Sequence, residues 1–337
     1  MKKRLLSLMI ASIGTSAAIS IAAPTAAEIE KLGKDLTPIG AEMAGNKDGS
    51  IPVWSGATNK PTGQWTPSKI RAEFSAFKTE KPLFTIDASN VDKYADKLSP
   101  GQIAMLKQVK GFKMNVYPSQ RQCSYPDFVL NNTRAGATKA AIGDDGWSLK
   151  EAALPGVPFP IPKSGIEVMW NYLMRYQGVG YSIEHGISTV SPAPGSTNGI
   201  STAWESFAYF PWGKKGTTSP SDVKNIQQGY YYGYREPAAL AGQALVQTYF
   251  LNKDAESFYY FTGQRRVRRL PNYSYDTPII GFENQLPNDA LSLFYGNPDR
   301  FDWKLKGKKE MYIAYNNLNI VNPQVNAQGL DQPFIDN

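Results

Sequence analysis

The sequence predicts an α+β protein built on an antiparallel sheet, and three observations predict it. The 337 residues include 24 prolines and 29 glycines, and aromatics make up 12% of them. Turn formers mixed with large rings favour a β-rich body with long loops over a helical bundle. Five β-prone runs follow one another near 178–190, 200–211, 226–236, 241–251 and 256–270, parted by turn sequences such as SPAPGSTNG and REPAALAGQ. Runs joined this closely read as an antiparallel meander. Upstream of them, two serine-led start signals announce helices. No fixed-period repeat is visible, which argues against propellers and solenoids.

In chain order, residues 1–22 have the layout of an export signal. Lys2, Lys3 and Arg4 precede an apolar stretch and then small residues, with a cleavage site expected after Ala22. The strongest apolar run, Leu5 to Ile13, is short of the ~20 residues that span a bilayer, and no cysteine adjoins the cut for a lipid anchor. Residues 23–86 read as an irregular wrapping arm with a short helix near 26–33, pinned by Trp54 and Trp65. A single α+β domain is expected over 87–317, followed by an irregular tail at 318–337.

Two helices are expected between Asp87 and Lys110. Ser99, Pro100 and Gln102 supply a cap, a first-turn proline and a capping-box partner, and Ile103, Leu106 and Val109 share one face. A third helix is expected over 124–141, then a Pro-rich connector at 143–165. Ser164 with Glu167 repeats the capping signal ahead of the stripe Ile166, Met169, Trp170 and Leu173. After the five strands, a short helix near 287–294 and a hairpin at 301–315 complete the expected elements.

Several stretches have a distinctive texture: KLGKDLTPIGAEMAGNKDGSIPVW at 31–54, EKPLFTIDASNVDKYADKLSPGQ at 80–102, GVPFPIPKSGIEVMWNYLMRY at 156–176, ESFYYFTGQRRVRRLP at 256–271 and YGNPDRFDWKLKGKKEMYIAYNN at 295–317. Together they closely resemble one bacterial family, that of domain of unknown function 1329, from about residue 28 to about residue 320. The resemblance implies a fold like the LolA and LolB lipoprotein carriers: a curved antiparallel sheet, an incomplete half-barrel, with helices packed over its concave face. It also implies a hydrophobic ligand or lipid as cargo, a place in the periplasm near the outer membrane, and an alternative role as accessory to a resistance-nodulation-division transporter or outer-membrane protein. Members continue through further strands, so the polar end VNPQVNAQGLDQPFIDN suggests a C-terminally truncated member. Such a member would leave the hairpin at 301–315 with an exposed edge and would expose Trp303, Met311, Tyr312 and Tyr315, lowering stability. The family brings no catalytic residues to carry over.

Enzymatic chemistry finds little support in the residues themselves. His185 is the only histidine, so any His-based triad or metal site passes through it, and its strand reads as solvated. Hydrolase activity is the weakest alternative. Cys123 is a lone thiol, which makes redox chemistry improbable. GDDG at 143–146 reads as a solvated turn, and GKKG at 213–216 as a basic loop rather than a phosphate cradle. Neither a metal nor a cofactor is expected. The net charge of +7 becomes +4 once Lys2, Lys3 and Arg4 leave with the leader, too little for general nucleic-acid binding.

Two constellations remain. Trp170, Trp204, Phe207, Tyr230, Tyr232, Tyr249, Phe258 and Tyr260 are the candidate ligand-binding rings. An ordinary core with a tyrosine-decorated surface is the competing reading, and the resemblance tips the balance toward a cavity. Arg265, Arg266, Arg268 and Arg269 form a candidate docking patch for anionic headgroups or an acidic partner, set against the plain reading of a solvated strand end. At two residues per repeat, Arg265, Val267 and Arg269 share one face of a strand and Arg266 and Arg268 the other.

Overall fold

The computed structural model describes residues 23–56, 79–121, 124–190 and 199–315. The leader, Trp65, Cys123 and the tail at 318–337 lie outside the described residues. The arm opens with a single helical turn, α1 (Ala26–Ile29), closed by a reciprocal capping box between Thr25 and Glu28. The Glu28 carboxyl is held down to about 2, first by its bond with the Lys163 ammonium. That contact ties the arm to the residue just before the cap of a later helix.

A small two-stranded sheet comes next, β1 (Phe84–Ile86) against β2 (Met114–Val116). Between the two strands lie a 3-10 segment at Val91–Lys97 and helix α2 (Pro100–Gln108), capped by Ser99 and Gln102 as the spacing predicts. Leu106 is buried, but Val109 is the non-helical capping residue and half exposed, so the expected three-residue face stops one residue early. Ile86, Val91, Leu98, Leu106, Phe112 and Met114 make this unit a core of its own. Helix α3 (Asp127–Gly136) follows, and GDDG is the turn of a short ladder between β3 (Ala141–Ile142) and β4 (Leu149–Glu151).

Helix α4 (Gly165–Leu173) starts at the predicted Ser164, whose side chain meets Glu167 N–H while Glu167 accepts from Ser164 N–H. Its Trp170 is 1% exposed and anchors the largest core with Leu149, Leu154, Phe159, Met174, Phe210, Trp212 and Leu251. Gly165 is needed where α4 meets the chain near its far end. A Cβ there would lie 2.4 Å from the Trp303 backbone carbon.

The expected meander is present. β5 (Gly180–Val190), β6 (Ile200–Tyr209), β7 (Ile226–Glu236), β8 (Ala244–Phe250), β9 (Glu256–Phe261) and β10 (Arg266–Arg269) form one sheet in which each strand pairs antiparallel with the next. The sheet is curved and does not close into a barrel, so β5 and β10 are its two edges. The fold class is therefore α+β with an open antiparallel sheet.

Three expectations need correction. The run 256–270 is two strands, because a 3-10 turn at Thr262–Gln264 and a left-handed Arg265 (φ 50°) fold it back on itself. The helix expected near 287–294 is one 3-10 turn, Asn288–Ala290, after which Ser292 and Leu293 take positive φ. Residues 301–315 form no hairpin and run as an extended strap. Of the four side chains expected to be exposed, Met311 and Tyr315 are exposed, whereas Trp303 and Tyr312 are partly covered, because Trp303 packs against the α4 core and Tyr312 meets Phe84 and Tyr94.

Candidate functional site

Strand parity sorts the aromatic side chains of the sheet onto two faces. In β7 the sequence alternates so that Tyr230, Tyr232 and Tyr234 point one way, and Gly229, Tyr231 and Gly233 the other. Register carries this split across the sheet. Ser206, Tyr232, Leu245 and Tyr259 stand in one row, while Phe207, Tyr231, Val246 and Phe258 stand in the next.

The first face is covered. α4 and its neighbours close one end through Ala208, Phe210 and Trp212, and the irregular segment after β10 closes the other through Tyr273, Ile280 and Tyr295. Beneath this cover the rings interlock. Trp204 stacks on Tyr232 with centroids 5.1 Å apart, Tyr230 stacks on Tyr232 at 6.5 Å, and Tyr295 meets Tyr249 edge-on at 5.0 Å. Gly186 makes room for the indole, since a Cβ there would lie 2.4 Å from the Trp204 ring.

Most phenols under the cover are paired. The Tyr249 hydroxyl accepts from Asn288 Nδ2 at 3.2 Å, the Tyr259 hydroxyl donates to Gln243 Oε1 at 3.0 Å, and that of Tyr234 donates to the Ile280 carbonyl. Tyr232 Oη and Tyr295 Oη are buried without a hydrogen-bond partner. Thr202 and Tyr234 lie beside the first and Gln228 beside the second, without reaching hydrogen-bond geometry. A buried donor in this state costs about 1–3 kcal/mol. Burial raises these phenols above the ordinary tyrosine range, Tyr230 to about 12, so they remain protonated donors at neutral pH.

The second face is open. Phe207, Tyr209, Val246, Phe258, Tyr260 and Val267 are exposed on it, and Phe207 packs against Tyr231 with centroids 5.5 Å apart. The candidate rings thus divide. Trp204, Tyr230, Tyr232 and Tyr249 come together on the covered face, with Trp170 nearby in the α4 core, whereas Phe207, Phe258 and Tyr260 line the open one. Tyr259, Tyr273 and Tyr295 belong to the covered cluster and were not among the candidates. The parity of β9 gives Tyr259, but the other two sit in irregular chain where no periodicity marks them.

The four arginines do not extend the aromatic strand. They fold back beside it, with Arg266 opposite Phe261, Val267 opposite Tyr260, Arg268 opposite Tyr259 and Arg269 opposite Phe258. Arg265 lies in the turn rather than in the strand, so it does not share a face with Val267 and Arg269. His185 is exposed on edge strand β5, as its sequence context suggests. Among the described residues no group of three or more His, Cys, Asp or Glu side chains is placed to hold a metal, and no helix is long and apolar enough to cross a membrane.

Residues 85–335 match the family model described as a protein of unknown function, DUF1329. The chain belongs to the DUF1329 family. A Pseudomonas aeruginosa relative, Uncharacterized protein PA3922, is 37% identical over 309 residues, which take in 90% of this chain and 66% of the relative. This DUF1329 chain therefore spans just under two thirds of that relative's length. Among solved structures, a DUF1329 family protein from Desulfovibrio piger overlaps 42% of this chain and 52% of its own, at 17% identity and a TM-score of 0.31. A Vibrio parahaemolyticus domain, provisionally assigned to outer-membrane lipoprotein sorting, overlaps 39% and 48% respectively, at 17% identity and a TM-score of 0.30.

Proposed function

We propose that this DUF1329 protein is an exported, non-catalytic protein of the bacterial envelope that binds a lipid or another hydrophobic molecule against the covered face of its sheet. The observation that carries the reading is the pair of unpartnered hydroxyls, Tyr232 Oη and Tyr295 Oη, set among stacked rings. Apolar rings offer a low-dielectric bed for a hydrocarbon chain, and a few convergent donors fix the oxygen-bearing end of an amphiphile. Trp204, Tyr230 and Tyr232 keep part of their ring surface accessible, whereas Tyr232 Oη and Tyr295 Oη are buried, so an oxygen-bearing end meets these donors only where the cover parts. The leader layout at 1–22 supports export to the periplasm.

Native mass spectrometry of the mature protein is expected to reveal bound lipid, and the delipidated protein to take up fluorescent fatty-acid probes at micromolar levels. Tyr232→Phe removes one free donor and keeps the ring, so it is expected to weaken a carboxylate-bearing probe about tenfold while leaving a pure hydrocarbon probe unchanged. Absence of both copurified lipid and probe uptake would remove the basis of the carrier reading.

A further inference from the structure

The open face of the sheet carries a row of rings that ends in cations. From β6 to β10 the row reads Phe207, Tyr231, Val246, Phe258 and Arg269, each opposite the next, and the neighbouring row ends Tyr260, Val267. Val267 is 63% exposed although its partner is an aromatic ring, and Phe258 is 40% exposed. Burying apolar groups of this size is favourable by about 1.5–3 kcal/mol each, so their exposure marks a surface built to be covered.

Charge says what covers it. Arg265, Arg266, Arg268 and Arg269 are all exposed along the outer strand and its turn, and none makes an ion pair among the described residues. Two carboxylates on the same face are engaged by other cations, Glu256 with Lys253 at 2.8 Å and Glu205 with Arg235; Glu256 also lies in the field of Arg269, and Glu184 stands near Arg235 without an ion pair among the described residues. Free guanidinium groups beside exposed aromatic and branched side chains form an amphipathic rim, with rings to enter the headgroup layer and arginines to meet phosphates. By register Arg266 and Arg268 stand on the covered side of the sheet and only Val267 and Arg269 on the open one, but β10 is an unpaired edge, and long arginine stems reach round such an edge to the rim that Arg269 occupies.

We propose that the β8–β9–β10 end of the open face is a docking surface for a bilayer rich in anionic phospholipid. Phe258, Tyr260 and Val267 sit at headgroup level, and the four arginines hold phosphate groups around them. This surface lies on the opposite side of the sheet from the covered tyrosines, so it stands or falls separately from the carrier reading.

The test is cosedimentation of the full chain with vesicles of phosphatidylcholine alone and of phosphatidylcholine mixed with phosphatidylglycerol. Binding to the mixed vesicles that weakens with added salt is expected, with little binding to phosphatidylcholine alone. Arg266→Ser with Arg268→Ser is expected to lower partitioning roughly 25-fold, at about fivefold per arginine. Phe258→Ser with Tyr260→Ser is expected to lower it while keeping the salt dependence, and Val267→Ser probes the same contact if that pair fails to fold. His185→Ala at the opposite edge is expected to leave it unchanged. Failure to bind mixed vesicles, equal binding to both vesicle types, or indifference to the arginine changes would overturn the proposal. So would displacement by inorganic phosphate at matched ionic strength, which would point to a free-phosphate site, or equal affinity for polyglutamate, which would point to an acidic protein surface.

Discussion

Tyr230 sits among rings on the covered face, and burial pushes its phenol from 10 up to about 12. The folded state thus holds the proton more tightly than the unfolded chain does. Stability from this group is complete below pH 10 and is lost as pH rises through about 12, a contribution of the order of 2 kcal/mol. Tyr249, Tyr234 and Tyr259 are raised in the same direction by burial. An alkaline titration followed by tyrosinate absorbance is therefore expected to show a late, cooperative step coincident with loss of the near-ultraviolet circular dichroism of the rings. Independent early titration of all tyrosines would contradict the packed cluster. At this scale the sequence is a partial guide. Alternation in YYYGY assigns Tyr230, Tyr232 and Tyr234 to one side because period two is a property of the strand itself. It does not tell which side receives a cover, since Tyr295 and Ile280 arrive from irregular chain dozens of residues away.

Helix α4 illustrates how far local chemistry determines an element. Its start was legible at Ser164 because the cap, the box residue Glu167 and the apolar stripe all lie within one turn or two. Glu167 is buried, and its carboxylate accepts from the backbone N–H groups of both Lys163 and Ser164. Ser164→Ala removes the acceptor for the Glu167 N–H and is expected to cost about 1 kcal/mol, read as a lower urea midpoint at unchanged slope. Glu167→Ala leaves two N–H groups without their acceptor and is expected to cost more, about 2 kcal/mol. Equal, negligible effects would show that solvent replaces the cap. The run 256–270 marks the opposite case. Its β-prone side chains continue through the fold-back, and the break depends on Arg265 adopting a left-handed conformation that arginine rarely takes. The strap at 301–315 was misread as a hairpin for a related reason: alternating rings and lysines suit an extended chain, and extension alone does not supply a paired neighbour.

At the scale of the molecule, that strap joins two of the three hydrophobic clusters seen among the described residues. The sheet and α4 form one, the β1–β2–α2 unit forms the other, and residues 301–315 pass from the first to the second. Trp303 packs by α4 and donates through its indole to the Pro298 carbonyl at 2.9 Å. Nine residues later the Tyr312 N–H donates to the Lys97 carbonyl at 2.9 Å, and its own carbonyl accepts from Gln102 Nε2 at 2.9 Å. The Tyr312 ring packs edge-on against Phe84 and Tyr94 at 6.2 and 6.1 Å. Flanking ion pairs of the strap, such as Lys97 with Glu310 at 3.7 Å, are long or open to solvent on at least one side and add little. The ring is thus the main apolar bond between strap and small unit, and a unit with only six buried hydrophobic residues has little reserve of its own. Tyr312→Ala is expected to destabilise by about 2–3 kcal/mol, the scale of a partly buried ring lost from its site. The loss should be local, because regions with few buried contacts open below the global transition. Hydrogen exchange is expected to quicken across 84–116 while amides of β6, β7 and β8 keep their protection. Uniform acceleration through both cores would show instead that they unfold as one unit, with the strap serving as part of a single cooperative structure.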